Sequence, residues 1–274
     1  MRRRCQHLKE ASARAGPVSE IGPAPGRFCH EMGSYPYSAE EKRRADEVRD
    51  MFGSIARRYD LLNHLLSANI DRRWREACVR EVLRRTALPH PKILDLGCGT
   101  ADLALAFPRS SPVFGSDFSR PMLDIARKKI NRSGRDKRVT LLAADALALP
   151  FADGAFDAVV SAFVVRNLAN RTIGLAEMKR VLRPGGVVGI LDFSMPAMPL
   201  LGRLCRFYIL RVLPGIGQLV SGVSGAYRYL PESIGEFPGP DELSLELVRA
   251  GFLEVGCRRL TSGVAVLWSG RAPW

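Results

Sequence analysis

The feature that most constrains the fold is a glycine-rich turn that follows a short apolar run. The run from Ile93 to Leu96 leads into Gly97-Cys98-Gly99-Thr100, and a second short apolar run ends at Asp117. Glycines at such a turn let the backbone bend sharply after a strand and let a ligand approach closely. An acid at the tip of the next strand can accept hydrogen bonds from two ribose hydroxyls. The pattern therefore predicts an open α/β sheet that holds a nucleoside.

The same turn distinguishes between two kinds of nucleoside cofactor. A dinucleotide fingerprint has a third glycine where this chain has Asp102. A carboxylate there would repel a pyrophosphate at the helix N-terminus, and Asp95 adds a second negative charge just before the turn. The two acids favour a cationic ligand such as S-adenosylmethionine, which carries a sulfonium and an ammonium group. The alternative is an ordinary strand–turn–helix whose glycines serve the turn alone.

Further apolar runs follow at regular intervals. One ends at Asp145, a second spans 156–162, and a third spans 187–191, after a helical pattern that is broken by the Pro-Gly-Gly of 184–186. Strands that alternate with helices at this spacing predict a parallel, doubly wound sheet, whose ligands lie at the carboxyl ends of the strands. The acids that follow the first three strands are Asp95, Asp117 and Asp145.

The chain divides into a core and four flanking segments. In chain order, the predicted segments are a disordered extension over 1–38, a helical lid over 39–90, the cofactor-binding core over 92–194, an irregular insertion over 195–240, and a C-terminal helix with two strands over 241–274.

Composition and charge indicate which classes of macromolecule the protein contacts. The net charge is +13, but the basic residues are dispersed and no nucleic-acid-binding signature accompanies them, so we expect no nucleic acid partner. An anionic membrane surface remains a candidate. No apolar run approaches the roughly 18–20 residues of a membrane span. The 6 cysteines contain no Cys-x-x-Cys pair, which predicts a cytoplasmic protein without a metal site or disulfides.

The turn and its strands resemble motif I of the class I methyltransferases, which has the form D-x-G-x-G-T at 95–100 of this chain. The resemblance implies an α/β, Rossmann-like, seven-stranded, mostly parallel sheet with an N-terminal helical lid, and S-adenosylmethionine as the cofactor. The residues that it assigns to cofactor binding are Asp95, Gly97, Gly99, Thr100, Asp117, Asp145, Ala146 and Ala162.

A closer resemblance covers the chain from about residue 45 to its end. The pattern F-x-x-I-A-x-x-Y-D-x-x-N-x-x-x-S at 52–67, followed by R-x-W at 72–74, resembles the quinone C-methyltransferases of menaquinone and ubiquinone synthesis, the UbiE/MenG/COQ5 family. Further matching stretches are Arg166-Asn167, 180–186, Phe193-Ser194, 227–234 and 260–264. The chain departs from the family pattern at Asp71, Ala162 and Asp192.

This resemblance implies methyl transfer to a ring carbon of a prenylated quinol, with demethylmenaquinol favoured over a ubiquinone precursor. Loss of a phenol proton makes the ring nucleophilic, so the site must orient the attack and stabilise an oxyanion. The guanidinium of Arg166, just past the fourth strand, is a candidate for holding the phenolate oxygen, and its alternative role is an ion pair with Asp192. Asn167, Tyr59 and Asp60 complete the candidate catalytic set, although an aromatic residue in a helical stripe more often serves packing.

The insertion contains an almost wholly apolar segment, 200–213, whose arginines 203, 206 and 211 fall within one arc of a helix. Such a helix would lie at a membrane interface or line a channel for a polyprenyl tail. The alternative is a buried helix whose arginines extend to solvent. The expected partners are the quinol, the inner face of the cytoplasmic membrane as a peripheral contact, and a second copy in a homodimer.

Two other functions stay open. One is methylation of another phenolic or lipid substrate, and the other is a non-catalytic assembly subunit of a quinone-synthesis complex. The intact acidic turn favours an enzyme.

Overall fold

A computed structural model describes residues 38–67, 69–135, 137–196 and 233–274, and at 57, 58 and 61–66 it describes the backbone alone. Most of the predicted disordered extension and most of the insertion lie outside the described residues. The arginine-bearing segment 200–213 and most of the family-like stretch 227–234 are among them, so the interpretations of those segments stay predictions.

Helices and strands alternate along the described chain. In order they are α1 (Ala39–Leu66), α2 (Ile70–Thr86), β1 (Ile93–Leu96), α3 (Asp102–Ala106), β2 (Val113–Asp117), α4 (Arg120–Arg132), β3 (Val139–Ala143), β4 (Phe156–Ala162), a 3-10 turn (Val165–Asn167), α5 (Arg171–Val181), β5 (Leu182–Phe193), α6 (Pro240–Arg249), β6 (Leu253–Leu260) and β7 (Ala265–Arg271).

The described strands form one seven-stranded sheet in the order β3-β2-β1-β4-β5-β7-β6. β1 to β5 pair in parallel, and β7 is antiparallel to both of its neighbours. β1 is buried along its whole length because helices cover both faces of the sheet. The predicted seven-stranded, mostly parallel α/β sheet is confirmed, and its carboxyl edge gathers the turns that follow β1, β2, β3 and β4.

The N-terminal helices serve two different purposes. α2 packs on the sheet, where Trp74, Cys78 and Val82 join the same buried cluster as Val187 and Leu191. α1 instead packs beside α4 and extends over the carboxyl edge. The sequence-based lid over 39–90 is therefore two elements, because the apolar stripe of α2 is buried as part of the core and α1 alone covers the edge.

The junction of α5 and β5 differs from the sequence-based interpretation. α5 ends at Val181, before the Pro-Gly-Gly, and β5 begins at once at Leu182. The pairing register with β4 shifts between Phe156 and Ala158, so the Pro-Gly-Gly lies within a strand irregularity. Gly185 has φ +70° there, and a β-carbon on it would come within 2.5 Å of the Trp274 ring. The positive φ therefore favours glycine at this turn, whereas Trp274 is 87% exposed and does not by itself require one.

Candidate functional site

A cavity of about 750 Å³, including the open space at its mouth, lies at the carboxyl edge of the sheet. One wall comes from α1, the floor from the turn after β1, and the remaining walls from the turns after β2, β3 and β4. The lining residues that the sequence analysis assigned to the site are Tyr59, Gly97, Gly99, Asp117, Asp145, Ala146 and Asn167.

The two glycines of the turn have different roles. Both have positive φ values, +65° for Gly97 and +53° for Gly99. A β-carbon on Gly97 would lie 2.5 Å from the Cγ2 atom of Val164, so this position must be glycine for packing. A β-carbon on Gly99 would have no neighbour within 4 Å. Because Gly99 lines the cavity, its open face is space that a ligand can approach closely.

Asp117 ties the turn to the tip of β2. Its Oδ2 accepts a hydrogen bond from the N–H of Gly99 at 2.8 Å, and its Oδ1 accepts one from the N–H of Ser119 at 2.8 Å. Burial raises the pKa of Asp117 above its usual value, and these N–H groups oppose the shift. A carboxylate has about four acceptor positions, so Asp117, which also lines the cavity, keeps acceptor capacity for a ligand hydroxyl. This geometry fits the predicted role of holding a ribose.

Asp95 is buried below the turn and does not line the cavity. Its Oδ2 atom has no hydrogen-bond partner within the described part of the chain. Burial raises its pKa to about 8, so the carboxyl is mostly protonated at neutral pH. The expectation that Asp95 adds a full negative charge next to the ligand is therefore revised by its burial.

Asp102 also differs from its expected role. Its carboxylate pairs with the Nζ atom of Lys129 and lies 3.7 Å from a guanidinium nitrogen of Arg75. The same Nζ lies 2.9 Å from Asp60 and 3.2 Å from the hydroxyl of Thr100. The expectation of a free negative charge at Asp102 is wrong, because two cations neutralise it. Thr100 and Asp60 take part in this cluster and do not line the cavity.

Arg166 forms the ion pair that the sequence analysis left as an alternative. Its Nη1 atom lies 2.7 Å from Asp192, and both side chains are buried. Its guanidinium also lies 5.3 Å from the centre of the Phe193 ring. Its Nε atom has no partner among the described residues. Arg166 does not line the cavity, so contact with a substrate oxygen requires another group between them or a change in its side-chain position.

Asn167 and Phe163 form a constrained part of the wall. Phe163 has φ +64°, a conformation that costs a bulky residue about 1–3 kcal/mol. The Nδ2 atom of Asn167 donates to the carbonyl of Phe163 at 3.1 Å, and the ring of Phe163 stacks on Phe193 at 4.6 Å. Ala162, assigned to cofactor binding, ends β4 beside this strained residue and does not line the cavity.

The sequence analysis missed most of the apolar wall. Tyr59 does line the cavity, and it also contacts the Phe52 ring edge to face at 5.9 Å. The other apolar lining residues include Val48, Phe52, Met122, Phe163, Val164 and Leu168. Phe52 is the first residue of the N-terminal family pattern, and this position in the pattern could have indicated that Phe52 belongs to the site. Val48 could not be found because helical periodicity does not say which side of α1 faces the sheet. The others lie on α4 and around the turn after β4, and local sequence does not show that these segments meet.

Comparison with known proteins identifies the family. Residues 38–271 match the ubiE/COQ5 methyltransferase family. The chain belongs to this family. It is 49% identical over 226 residues to a demethylmenaquinone methyltransferase of Thermus thermophilus, covering 81% of this chain and 100% of that protein. It is 44% identical over 238 residues to a demethylmenaquinone methyltransferase of Deinococcus radiodurans, covering 86% and 96%. A ubiquinone/menaquinone biosynthesis C-methyltransferase of Geobacter sp. is 43% identical, covering 85% and 99%.

Solved structures share the fold of this ubiE/COQ5 family member at lower identity. A Thermotoga maritima structure described as a SAM-dependent methyltransferase, possible histamine N-methyltransferase, has a TM-score of 0.55 at 20% identity and covers 81% of this chain and 98% of its own. The [4+2]-cyclase SpnF has a TM-score of 0.54 at 19% identity, covering 72% and 80%. The likeness concerns the fold alone, since one architecture supports different reactions.

We predict that Arg166 and Asp192 stabilise the fold as a pair. Arg166→Ala leaves a buried carboxylate without its cation and should lower the free energy of unfolding by about 3–5 kcal/mol. The double variant Arg166→Ala, Asp192→Ala removes both charges and should recover a large part of that loss. Urea denaturation of the wild type, both single variants and the double variant measures the coupling energy. If the loss in the double variant equals the sum of the losses in the two single variants, the pairing is contradicted.

We predict that Asp95 makes stability depend on pH. The unfolded carboxyl titrates near pH 4, whereas the pKa in the folded protein is about 8. The folded state thus keeps a proton that the unfolded state has lost, and stability falls as the pH rises through this range. Asp95→Asn, which resembles the protonated form, should gain on the order of 3–5 kcal/mol relative to wild type between pH 5 and pH 9.

Urea denaturation at pH 5, 7 and 9 tests this prediction, because the other titrating groups cancel in the difference between the two proteins. Stability profiles that run parallel across this pH range would show that the Asp95 carboxyl is already ionised in the folded protein.

Proposed function

We propose that this protein uses S-adenosylmethionine to methylate a ring carbon of a prenylated quinol, and that the reaction is the conversion of demethylmenaquinol to menaquinol. The observation that carries the proposal is family membership combined with near-complete coverage of two relatives named demethylmenaquinone methyltransferase. The cavity at the carboxyl edge supports the choice of cofactor independently, since Asp117, the acid proposed to hold the ribose, and a glycine with an open face occur on the same floor.

The cofactor would be held by the floor of the cavity. Asp117 would accept the two ribose hydroxyls, and the open face of Gly99 would allow the ligand to contact the backbone. Asp145 and Ala146 line the wall after β3 and are the proposed contacts of the adenine. When bound, S-adenosylmethionine supplies a methyl group activated by the adjacent sulfonium. Asp95 lies below the turn and would contribute to cofactor binding indirectly, by holding the backbone of the turn in position.

The quinol ring would lie between α1 and the turn after β4. Tyr59 and Asn167 provide polar groups on these two walls, while Val48, Phe52 and Phe163 provide apolar surface. Apolar walls exclude water, so a hydroxyl or amide that faces the phenolate oxygen stabilises its charge more strongly than it would in water. Tyr59 and Asn167 are therefore the proposed catalytic residues.

Arg166 and Asp60 are proposed to act through neighbours. Arg166 precedes Asn167 in the 3-10 turn, and its ion pair with Asp192 fixes that turn against β5. Its removal should lower kcat while cofactor affinity stays nearly unchanged, as expected for a group whose effect is exerted mainly in the transition state. Asp60 follows Tyr59 on α1 and contacts the cluster around Lys129.

An assay of the purified protein tests the function. Demethylmenaquinol and a demethylated ubiquinone precursor, both chemically reduced, would each be incubated with S-adenosylmethionine carrying a deuterated methyl group, and the products analysed by mass spectrometry. We expect the labelled methyl group on the ring of the menaquinone product and little label on the ubiquinone precursor. Methylation of neither quinol, with cofactor binding intact, would favour another phenolic or lipid substrate. No cofactor binding would favour the non-catalytic subunit.

We predict that Asp117→Ala weakens binding of S-adenosylhomocysteine by about 1–3 kcal/mol through loss of charge-assisted hydrogen bonds. Calorimetry measures the affinity, and Asp124→Ala is the control because Asp124 is an exposed acid of α4. Equal affinities of the two variants would show that Asp117 does not contact the cofactor. Tight binding of a nicotinamide dinucleotide instead would overturn the choice of cofactor.

We also propose that the protein contacts the membrane surface reversibly, since its quinol substrate and product are too apolar to diffuse freely in water. None of the described helices is long and apolar enough to cross a membrane. The arginines of 200–213 and the net charge of +13 support attraction to anionic lipid. Wild type should float with anionic liposomes at low salt, and a variant with Arg203, Arg206 and Arg211 all changed to Glu should not. Equal flotation of the two would favour the buried-helix interpretation.

A further inference from the structure

Lys129 of α4 contacts three side chains from different parts of the fold. Its Nζ atom lies 2.9 Å from the Oδ2 atom of Asp60 and 3.2 Å from the hydroxyl of Thr100, and it pairs with the carboxylate of Asp102. The hydroxyl of Thr100 also donates a hydrogen bond to the Oδ1 atom of Asp60. The side chains of Lys129, Asp60 and Asp102 are 23%, 28% and 20% exposed, so water screens these charges only in part.

This cluster joins two sides of the cavity without lining it. Asp60 follows Tyr59, which lies on the wall that α1 forms. Thr100 follows Gly99, which lies on the floor and donates its N–H to Asp117. Lys129 therefore connects the wall that would face the substrate to the floor that would face the cofactor.

The two ends of α1 are attached differently. Near its start, the Nδ2 atom of Asn170 donates to Glu41 at 3.0 Å, and Arg44 pairs with the largely exposed Glu236 at 3.2 Å. Its later half, which carries Tyr59, is attached through the Lys129 cluster. Surface pairs such as Arg44 and Glu236 contribute little to stability. Among the described contacts of the later half, the Lys129 cluster is the one that joins Asp60 to the cofactor turn, while Ile55 and Ala56 are buried.

The charges around Lys129 explain why one lysine would hold the later half of α1 in place. Without the Nζ cation, the carboxylates of Asp60 and Asp102 would lie close together, and the more distant Arg75 would be the remaining cation of the cluster among the described side chains. Like charges at short range repel, and the helix that can move away is α1. The same cation also offsets the acidity of the turn.

We propose that Lys129 is a positioning residue that holds the later half of α1 against the cofactor turn and thereby keeps Tyr59 on the wall of the cavity. The proposal rests on the proposed function for the identity of the ligands, but the attachment of α1 can be measured without them.

Hydrogen–deuterium exchange tests the attachment directly. In Lys129→Ala, amides of the later half of α1, residues 52–66, should exchange about three- to tenfold faster than in wild type, while residues 39–47 and the central strands are unchanged. Lys128→Ala is the matched control, because Lys128 is the exposed neighbour on the same helix. Lys129→Arg keeps the charge and should restore most of the protection. Equal exchange in the Lys128 and Lys129 alanine variants would overturn the proposal.

Ligand binding gives a second readout. S-adenosylhomocysteine is the probe because it lacks the sulfonium charge, so repulsion between Lys129 and a sulfonium does not contribute to its affinity. Lys129→Ala should weaken its binding about three- to tenfold and raise the KM for the quinol more than it lowers kcat. Asp60→Asn, which removes one carboxylate and leaves the pair of Lys129 with Asp102, should change exchange and affinity in the same direction.

These outcomes separate the two proposals. If the wild type methylates no quinol, the exchange experiment still decides the role of Lys129. If Lys129→Ala loses affinity while exchange in 52–66 stays at the wild-type rate, Lys129 acts as a direct ligand contact and the positioning role is wrong.

Discussion

The hydrogen bond from the Gly99 N–H to the Asp117 carboxylate is the contact on which the rest of the site depends. It joins the turn after β1 to the tip of β2 at 2.8 Å. Because both strands are parallel and adjacent, their carboxyl ends already lie side by side, and the bond sets the shape of the floor between them. The walls from α1 and from the turn after β4 are arranged around that floor.

The electrostatics around this floor are balanced rather than acidic. Burial keeps Asp95 mostly protonated at neutral pH, and Lys129 and Arg75 neutralise Asp102. The remaining carboxylates that face the cavity, Asp117 and Asp145, also accept backbone N–H groups. Among the described residues, the carboxylates that a cationic ligand in the cavity would meet are therefore those of Asp117 and Asp145, and not those of Asp95 and Asp102.

Much of the fold could be predicted from the sequence because buried parallel strands appear as continuous apolar runs. β4 begins and ends at the predicted residues, 156 and 162, and the C-terminal helix and two strands occur in the predicted order. The error at the Pro-Gly-Gly has a long-range cause. Pairing between β4 and the start of β5 extends past the proline, and a register shift absorbs the extra residues. Local propensity does not report that long-range pairing.

The sequence by itself determined the class of fold, the family, and the acid and glycines that line the cavity, since these depend on spacing along one strand–turn–helix unit. Tertiary structure alone decided which charges are neutralised and which side chains reach the cavity. Arg166 and Asp192 are 26 residues apart, and Asp60 and Lys129 are 69 apart. Each pair exists only because the sheet order and the packing of α1 on α4 bring distant segments together. The pattern of residues along the chain contains no information on those distances until the fold is formed.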